Sequence, residues 1–249
     1  MNLILLEEFH FIDHQTAQLD ERQSKHIIEI LKGQTGDCLD VGKINGQMGQ
    51  AKIIKIEPKN DSKVPYDHVI LGNIDLSSSV SPQIPVTLLL ALPRPQMIKR
   101  ILQTVACMGV EKLCLIHSEK VEKSFWQSPS VTGQAIREQL LLGLEQGKAT
   151  QLPVVEKRQR LKHFLEDELT ESKQKESRYI AHPGPYPSCP IFKQTQSNSN
   201  ITIAIGPEGG FTNDELKLFE RYGFDPIQLG ERILKVETAV TYLLSRYDR

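Results

Sequence analysis

Three segments carry residue types that could hold a small ligand or steer a reaction: His182-Pro-Gly-Pro185, Ile205-Gly-Pro-Glu-Gly-Gly-Phe211 and Leu229-Gly-Glu-Arg-Ile-Leu-Lys235. In Gly206-Pro-Glu-Gly-Gly210, the glycines let a ligand approach the main chain closely, Pro207 stiffens the turn and Glu208 is the only charge. The run lacks the GK[ST] ending of a phosphate loop and does not spell GxGxxG. Binding through backbone N–H and C=O groups suits an adenine or a carboxylate; the plainer reading is a β-to-α turn. The third segment and the residues just after it set Arg232, Lys235, Glu237 and Thr238 at the start of the last helix. Cations are disfavoured at a helix N-terminus by the macrodipole, so an anionic partner accounts for them better than solvent does.

Each segment follows a stretch that reads as a strand, and in α/β sheets ligands sit at the carboxyl ends of strands. From Val86 onward, strand and helix alternate. Val86–Leu92, Lys112–His117, Arg178–His182, Ile201–Ile205 and Pro226–Leu229 read as strands. Met97, Ile98, Ile101, Leu102, Val105 and Met108 form one helical face, with Pro95 placed to open the helix and Gly109 to stop it. Val131–Gln146 is helical, and Leu161, Phe164, Leu165 and Leu169 mark another helix. Thr212-Asn-Asp-Glu215 is a capping box for a helix ending near Gly223, and Val236–Tyr247 is the last helix. This pattern predicts an α/β fold with a largely parallel sheet.

The first seventy or so residues differ. Asn2–Leu6, Asp37–Val41, the segment with Ala51, Ile53 and Ile56, and Val69–Ile74 read as short strands, with a tight turn at Asn45-Gly46. Asp20 opens a helix whose face is His26, Ile27, Ile30 and Leu31, ended by Gly33. Several short strands suggest a small β-barrel. Residues 73–85, polar, small and punctuated by proline, read as a linker.

The chain has 249 residues, with 30 Lys+Arg against 31 Asp+Glu, a formal net charge of −1 and a pI near 6.7. That balance excludes a protein that coats nucleic acid by bulk attraction, but not one with a local basic face. A hydrophobic fraction of 39% excludes wholesale disorder. The four cysteines (Cys38, Cys107, Cys114 and Cys189) form no CxxC pair, so neither a disulfide framework nor a metal site is expected. Cys107 and Cys114 read as small core residues. The first residues lack a basic n-region and no apolar run is long enough to span a bilayer, so a cytoplasmic protein with no membrane partner is expected.

Taken together, Ile205-Gly-Pro-Glu-Gly-Gly-Phe-Thr212 and Leu229-Gly-Glu-Arg-Ile-Leu-Lys-Val-Glu-Thr-Ala239 resemble the closing signature of the ribosomal RNA small subunit methyltransferase E family. Lys25-His-Ile-Ile-Glu-Ile-Leu-Lys32, followed by Gly36-Asp37, resembles that family's first-domain motif, and Met97–Val110 its helix ending in Gly-Val. The resemblance covers essentially the whole chain and is densest in the last fifty residues. It implies a PUA-like β-barrel that helps hold RNA in residues 1–72, a linker at 73–85, and a SPOUT methyltransferase domain with a trefoil knot in 86–249. It further implies a homodimer, S-adenosylmethionine as cofactor, and N3 of a uridine in 16S rRNA as acceptor, within the assembled 30S subunit. Departures are Leu-Ile-Leu-Leu near the start, Leu31-Lys32, Glu145-Gln146-Gly147-Lys148 and Lys235. The lysines among them keep charge but lose the planar guanidinium fork, and together the departures point to a divergent subfamily.

Carried onto this sequence, Arg232 and Lys235 would stabilise charge on uracil O2 and O4, while Glu208 orders its loop or assists proton removal. His182, Gly184, Ile205, Gly206, Pro207, Gly209, Gly210, Leu229, Gly230, Ile233, Leu234 and Thr238 would form the cofactor shell, although Ile233 and Leu234 equally suit core packing. Candidate RNA contacts are Arg94, Lys99 and Arg100, then Lys120 and Lys123, with His26 and Lys32 in the first domain. The run Lys157, Arg158, Arg160 and Lys162 reads as solvated surface, and Phe125 and Trp126 as packing rather than base stacking. The competing readings are a SPOUT methyltransferase acting on tRNA or another RNA position, and an RNA-binding protein of this fold without activity. A dinucleotide-dependent oxidoreductase lacks its fingerprint.

Overall fold

A computed structural model describes residues 2–58, 67–168, 177–193 and 200–248. The chain divides into two compact units, Met1–Pro82 with Leu141–Leu152, and Gln83–Leu140 with Pro153–Arg249.

The first unit holds strands β1 (Ile4–Leu6), β2 (Phe11–Asp13), β3 (Thr16–Gln18), β4 (Cys38–Lys43), β5 (Met48–Glu57) and β6 (His68–Ser78), with helix α1 (Glu21–Lys25). They form a six-stranded sheet in the order β1-β4-β5-β6-β3-β2. Its pairs are antiparallel except β1 with β4. In β5, Ala51 and Ile53 point into the core and Lys52 and Ile54 point out, the period-two pattern of a half-buried strand. Asp20 caps α1, its carboxylate accepting Gln23 N–H at 2.8 Å. The helix then widens into a π turn over His26–Ile30, in which Leu31 N–H reaches back to His26 O. This shift breaks the expected apolar face: Ile27 is buried, but Ile30 is 68% and Leu31 44% exposed.

The stretch expected as a linker, 73–85, is largely strand, because β6 runs to Ser78 and the next strand begins at Ile84. Its polar residues Asn73, Asp75 and Ser77 are the outer face of a strand whose Ile74 faces inward. Residues 141–152 are stitched onto the first unit by side chains. Arg22 places its guanidinium fork on buried Glu145, with N–O distances of 2.7 and 2.8 Å. Lys148 pairs with Asp40 at 2.7 Å, Thr150 donates to Gly46 O at 2.6 Å, and Asn45 Oδ1 accepts Leu152 N–H at 2.9 Å.

In the second unit the elements are β7 (Ile84–Ala91), α2 (Pro95–Cys107), β8 (Val110–Ile116), α3 (Gly133–Gly147, whose last part belongs to the first unit), β9 (Val154–Arg158) and α4 (Leu161–Glu168). There follow β10 (Ser177–Ala181), β11 (Phe192–Lys193), β12 (Ile201–Ile205), α5 (Asn213–Arg221), β13 (Asp225–Ile227), α6 (Val236–Ser245) and β14 (Tyr247–Asp248). Leu169, expected at the end of α4, lies outside the described residues. The main sheet runs β13-β10-β12-β7-β8-β9, and every pair in it is parallel. Such a sheet is covered on both faces, which explains why Leu88, Leu89 and Leu90 are consecutive and all buried. From β7 the chain builds outward to β8 and β9 on one side, and β12, β10 and β13 lie on the other. The crevice at such a reversal is where α/β sheets bind ligands. Leu90, Ile205, Ala181 and Ile227 lie in register, so the loops that follow their strands leave the sheet at one level. Cys114 is buried as expected, but Cys107, at the end of α2, is exposed; all four cysteines are free.

Candidate active site

At the carboxyl ends of β7, β10, β12 and β13 the second unit encloses a cavity of about 660 Å³. That size lies within the range of about 300–1,000 Å³ typical of small-molecule sites. Four chain segments line it: the start of α2, the loop after β10, the loop between β12 and α5, and the loop between β13 and α6.

The β12–α5 loop is tightly turned, with Gly210 N–H donating to Pro207 O at 2.7 Å. Gly206 is closely packed: a Cβ there would lie 3.0 Å from the Phe211 nitrogen. Gly210 has φ +68, in the left-handed region open to glycine, and its Cα side faces the His182 ring. Glu208 is exposed, and its Oε1 accepts the backbone N–H of Arg94 at 3.1 Å. Arg94 is the N-cap of α2 and provides no side-chain cap of its own, so this carboxylate stands at the beginning of that helix. The arrangement ties the loop after β7 to the loop after β12.

His182 follows β10. Its backbone N–H donates to Ile227 O at 3.0 Å, but its Nδ1 is buried with no hydrogen-bond partner among the described residues. Burial lowers the pKa of this imidazole, and the charge of Lys120 lowers it further. A neutral ring with an unanswered nitrogen at a cavity wall is a handle for a ligand. Gln228 closes this side, its amide donating to Tyr186 O at 2.8 Å.

On the opposite rim, Arg232, Ile233 and Lys235 are exposed. Ile233 is 83% exposed, which excludes core packing for it, whereas Leu234 is half-buried. Lys235 is the N-cap of α6 and makes no cap hydrogen bond with its side chain. The cations therefore stand where the helix dipole opposes them, with their heads in the open.

The cavity brings together Glu208, Arg232, Lys235, His182, Gly184, Ile205, Gly206, Pro207, Gly210, Leu229, Gly230, Ile233 and Leu234, together with Arg94 and Arg100. Gly209, Thr238, Lys99, Lys120 and Lys123 are not among its lining residues. Lys120 instead donates its ammonium to Gly209 O at 2.7 Å. Trp126 is also engaged, its indole N–H donating to His117 Nδ1 at 2.9 Å. His26 and Lys32 belong to the first unit, where His26 lines a shallow depression with Arg22, Lys25 and Leu142. Gln96, Met97, Gln228 and Glu231 also line the cavity. Met97 has the spacing of a core residue, yet it sits in the first turn of α2, where the helix end meets the ligand space. Gln228 stands just beyond the end of β13, whereas the sequence pattern places it inside a strand running to Leu229.

A family model described as an RNA methyltransferase domain matches residues 80–248. The chain belongs to this RNA methyltransferase family. The resemblance read from the motifs is matched along the chain: ribosomal RNA small subunit methyltransferase E of Treponema pallidum is 28% identical over 241 residues, 96% of this chain and 87% of the relative. Among solved structures, a methyltransferase from Legionella pneumophila in complex with the bound cofactor SAM has a TM-score of 0.73 at 20% identity, covering 98% of this chain and 95% of that one. Ribosomal RNA small subunit methyltransferase E from Neisseria gonorrhoeae, bound to S-adenosyl methionine, has a TM-score of 0.72 at 19% identity over 98% and 95% of the two chains. These likenesses show that the α/β fold is shared with methyltransferases. No helix among the described residues is long and apolar enough to cross a membrane.

Proposed function

We propose that this protein methylates N3 of a uridine in 16S rRNA, using S-adenosylmethionine, within the assembled 30S subunit. One observation carries the reading: four segments far apart in sequence, including both closing motifs, converge on one cavity at the reversal of a parallel sheet. The named relatives supply the ribosomal RNA assignment.

The cavity suits the cofactor. Its volume is adequate, the glycines of the 206–210 loop expose main-chain groups, and the buried Nδ1 of His182 awaits a partner. Bound there, S-adenosylmethionine supplies an electrophilic methyl group, so the protein's task is placement and charge management. Ile205, Gly206, Pro207, Gly210, Leu229, Gly230 and Leu234 would enclose the adenine and its sugar, with His182 and Gly184 closing the far side. Uracil N3 becomes nucleophilic as its proton passes to Glu208 or to solvent, the negative charge spreads onto O2 and O4, and methyl transfer to N3 then releases S-adenosylhomocysteine. Arg232 and Lys235 would hold that charge. Glu208, engaged by Arg94 N–H, orders the loop. Arg94, Lys99, Arg100 and Lys123 would meet RNA phosphates, as would His26 and Lys32 on a PUA-like first domain. The trefoil knot, the homodimer and the cytoplasmic location belong to the same reading.

The deciding experiment transfers labelled methyl onto naked 16S rRNA and onto 30S subunits, followed by mapping of the modified nucleotide. Incorporation at N3 of one uridine, with the assembled subunit preferred, is the expected result. Incorporation into tRNA or at another atom, or none despite bound cofactor, overturns it.

A further inference from the structure

Two residues that do not line the cavity hold its glycine loop, Glu215 from α5 and Lys120 from the turn after β8. Glu215 is the third residue of α5 and is only 5% exposed. Its Oε2 accepts Thr212 N–H at 2.8 Å, which completes the capping box. Its Oε1 accepts the N–H of Glu119 at 2.8 Å. Of these two carboxylate bonds a capping box uses only the first, its reciprocal being Glu215 N–H donated to the Thr212 hydroxyl. The second reaches across 96 residues of sequence to the turn after β8, closed by Val121 N–H donating to Ser118 O at 3.0 Å and anchored by buried Ser118 and Val121. The next residue of that turn, Lys120, donates to Gly209 O at 2.7 Å, and its side-chain stem lies where a Cβ on Gly209 would be, 3.1 Å from Cδ. One turn therefore grips the ligand loop at two points, Gly209 and the start of α5.

We propose that Glu215 and Lys120 are positioning residues that clamp the 206–212 loop in its cofactor-binding shape. The assignment rests on the cofactor reading above. Neither side chain lines the cavity. Both carboxylate oxygens of Glu215 are spent on backbone N–H groups, so no amide can replace it: a glutamine offers one acceptor and turns an NH2 donor toward the other N–H. The loop's affinity for ligand depends on its order before binding, since any freedom lost on binding weakens the complex.

The test compares Glu215→Gln with Thr212→Ala. The second removes the hydroxyl that accepts Glu215 N–H at 3.3 Å, so it weakens the cap while leaving both carboxylate bonds. Both variants should melt earlier. Only Glu215→Gln should speed amide exchange in 118–121 and 206–211, and raise the Kd for S-adenosylmethionine by about tenfold, the scale of a charge-assisted hydrogen bond. Lys120→Met, at an exposed position, should fold normally, speed exchange at Gly210 and raise Kd about threefold. Exchange confined to residues 213–217 in Glu215→Gln, as in Thr212→Ala, with Kd unchanged in it and in Lys120→Met, overturns the clamp. Wild-type protein that binds no S-adenosylmethionine overturns the cofactor reading instead, and the exchange pattern still decides the clamp.

Discussion

The loop at 206–211 is fastened by Glu208 to Arg94 N–H and by Gly209 O to Lys120, whereas the side chains of Arg232 and Lys235, across the same cavity, have no ion-pair or hydrogen-bond partner among the described residues. One wall is wired before any ligand arrives. The other presents bare charge. The contrast separates two demands on an enzyme that positions a reactive small molecule beside a large anion. A cofactor site gains from groups whose geometry is already settled. A substrate rim gains from cations whose attraction is not consumed by carboxylates of the protein itself.

The contrast breaks most severely at Gly206. Gly206→Val forces a side chain against the Phe211 nitrogen and should raise the Kd for S-adenosylmethionine by about a hundredfold, near the upper end of what overpacking a fixed site typically costs. Calorimetric titration measures it; affinity within threefold of wild type would show that the wired wall is not the cofactor wall. Next come Arg232→Ala and Lys235→Ala. Each should lower kcat for methyl transfer by about thirtyfold to a hundredfold while leaving cofactor Kd within about threefold. Because both side chains are exposed, thermal unfolding should shift by less than about 0.5 kcal/mol in stability. Cofactor affinity lost in step with turnover would erase the division between the two walls.

The smallest effect is on pH. Burial and Lys120 keep His182 neutral below the ordinary histidine value. A depressed pKa means that its favourable contribution is intact above about pH 6.5 and is lost as pH falls through the lower, folded-state value. Affinity for the cationic cofactor should therefore stay flat from about pH 8 through the ordinary histidine value and weaken by about threefold to tenfold only as pH falls through the depressed value of the folded protein. In His182→Asn that acid limb should disappear; an unchanged limb would assign it to another group.

Local rules made the second unit of the chain legible. The Thr212–Glu215 capping box, Pro95 at the start of α2 and the buried β12 all depend on neighbours within a few residues. Ligand segments could be picked out because each follows a strand, and the structure brings all three to one cavity. What spacing could not show depends on distant partners. Nothing near Lys120 in sequence announces Gly209, and nothing near Glu145 announces Arg22. Asn73–Ser78 looked like a linker because an outer strand face is as polar as one. Ile30 and Leu31 looked buried because an α-helical period was carried through a π turn.

The attachment of residues 141–152 to the first unit bears on how the chain must be made. A ribosome that has released Pro82 has produced every strand of the first sheet but not Glu145, Thr150 or Leu152. Arg22 then has no carboxylate to fork onto, and the Asn45–Gly46 turn lacks the two groups that fasten it. The amino-terminal unit therefore closes only after much of the next unit has been synthesised, and an expression fragment cut at the apparent boundary carries an unfinished edge. A fragment meant to stand alone must bring its last twelve residues with it, by circular permutation or by supplying them as a separate peptide.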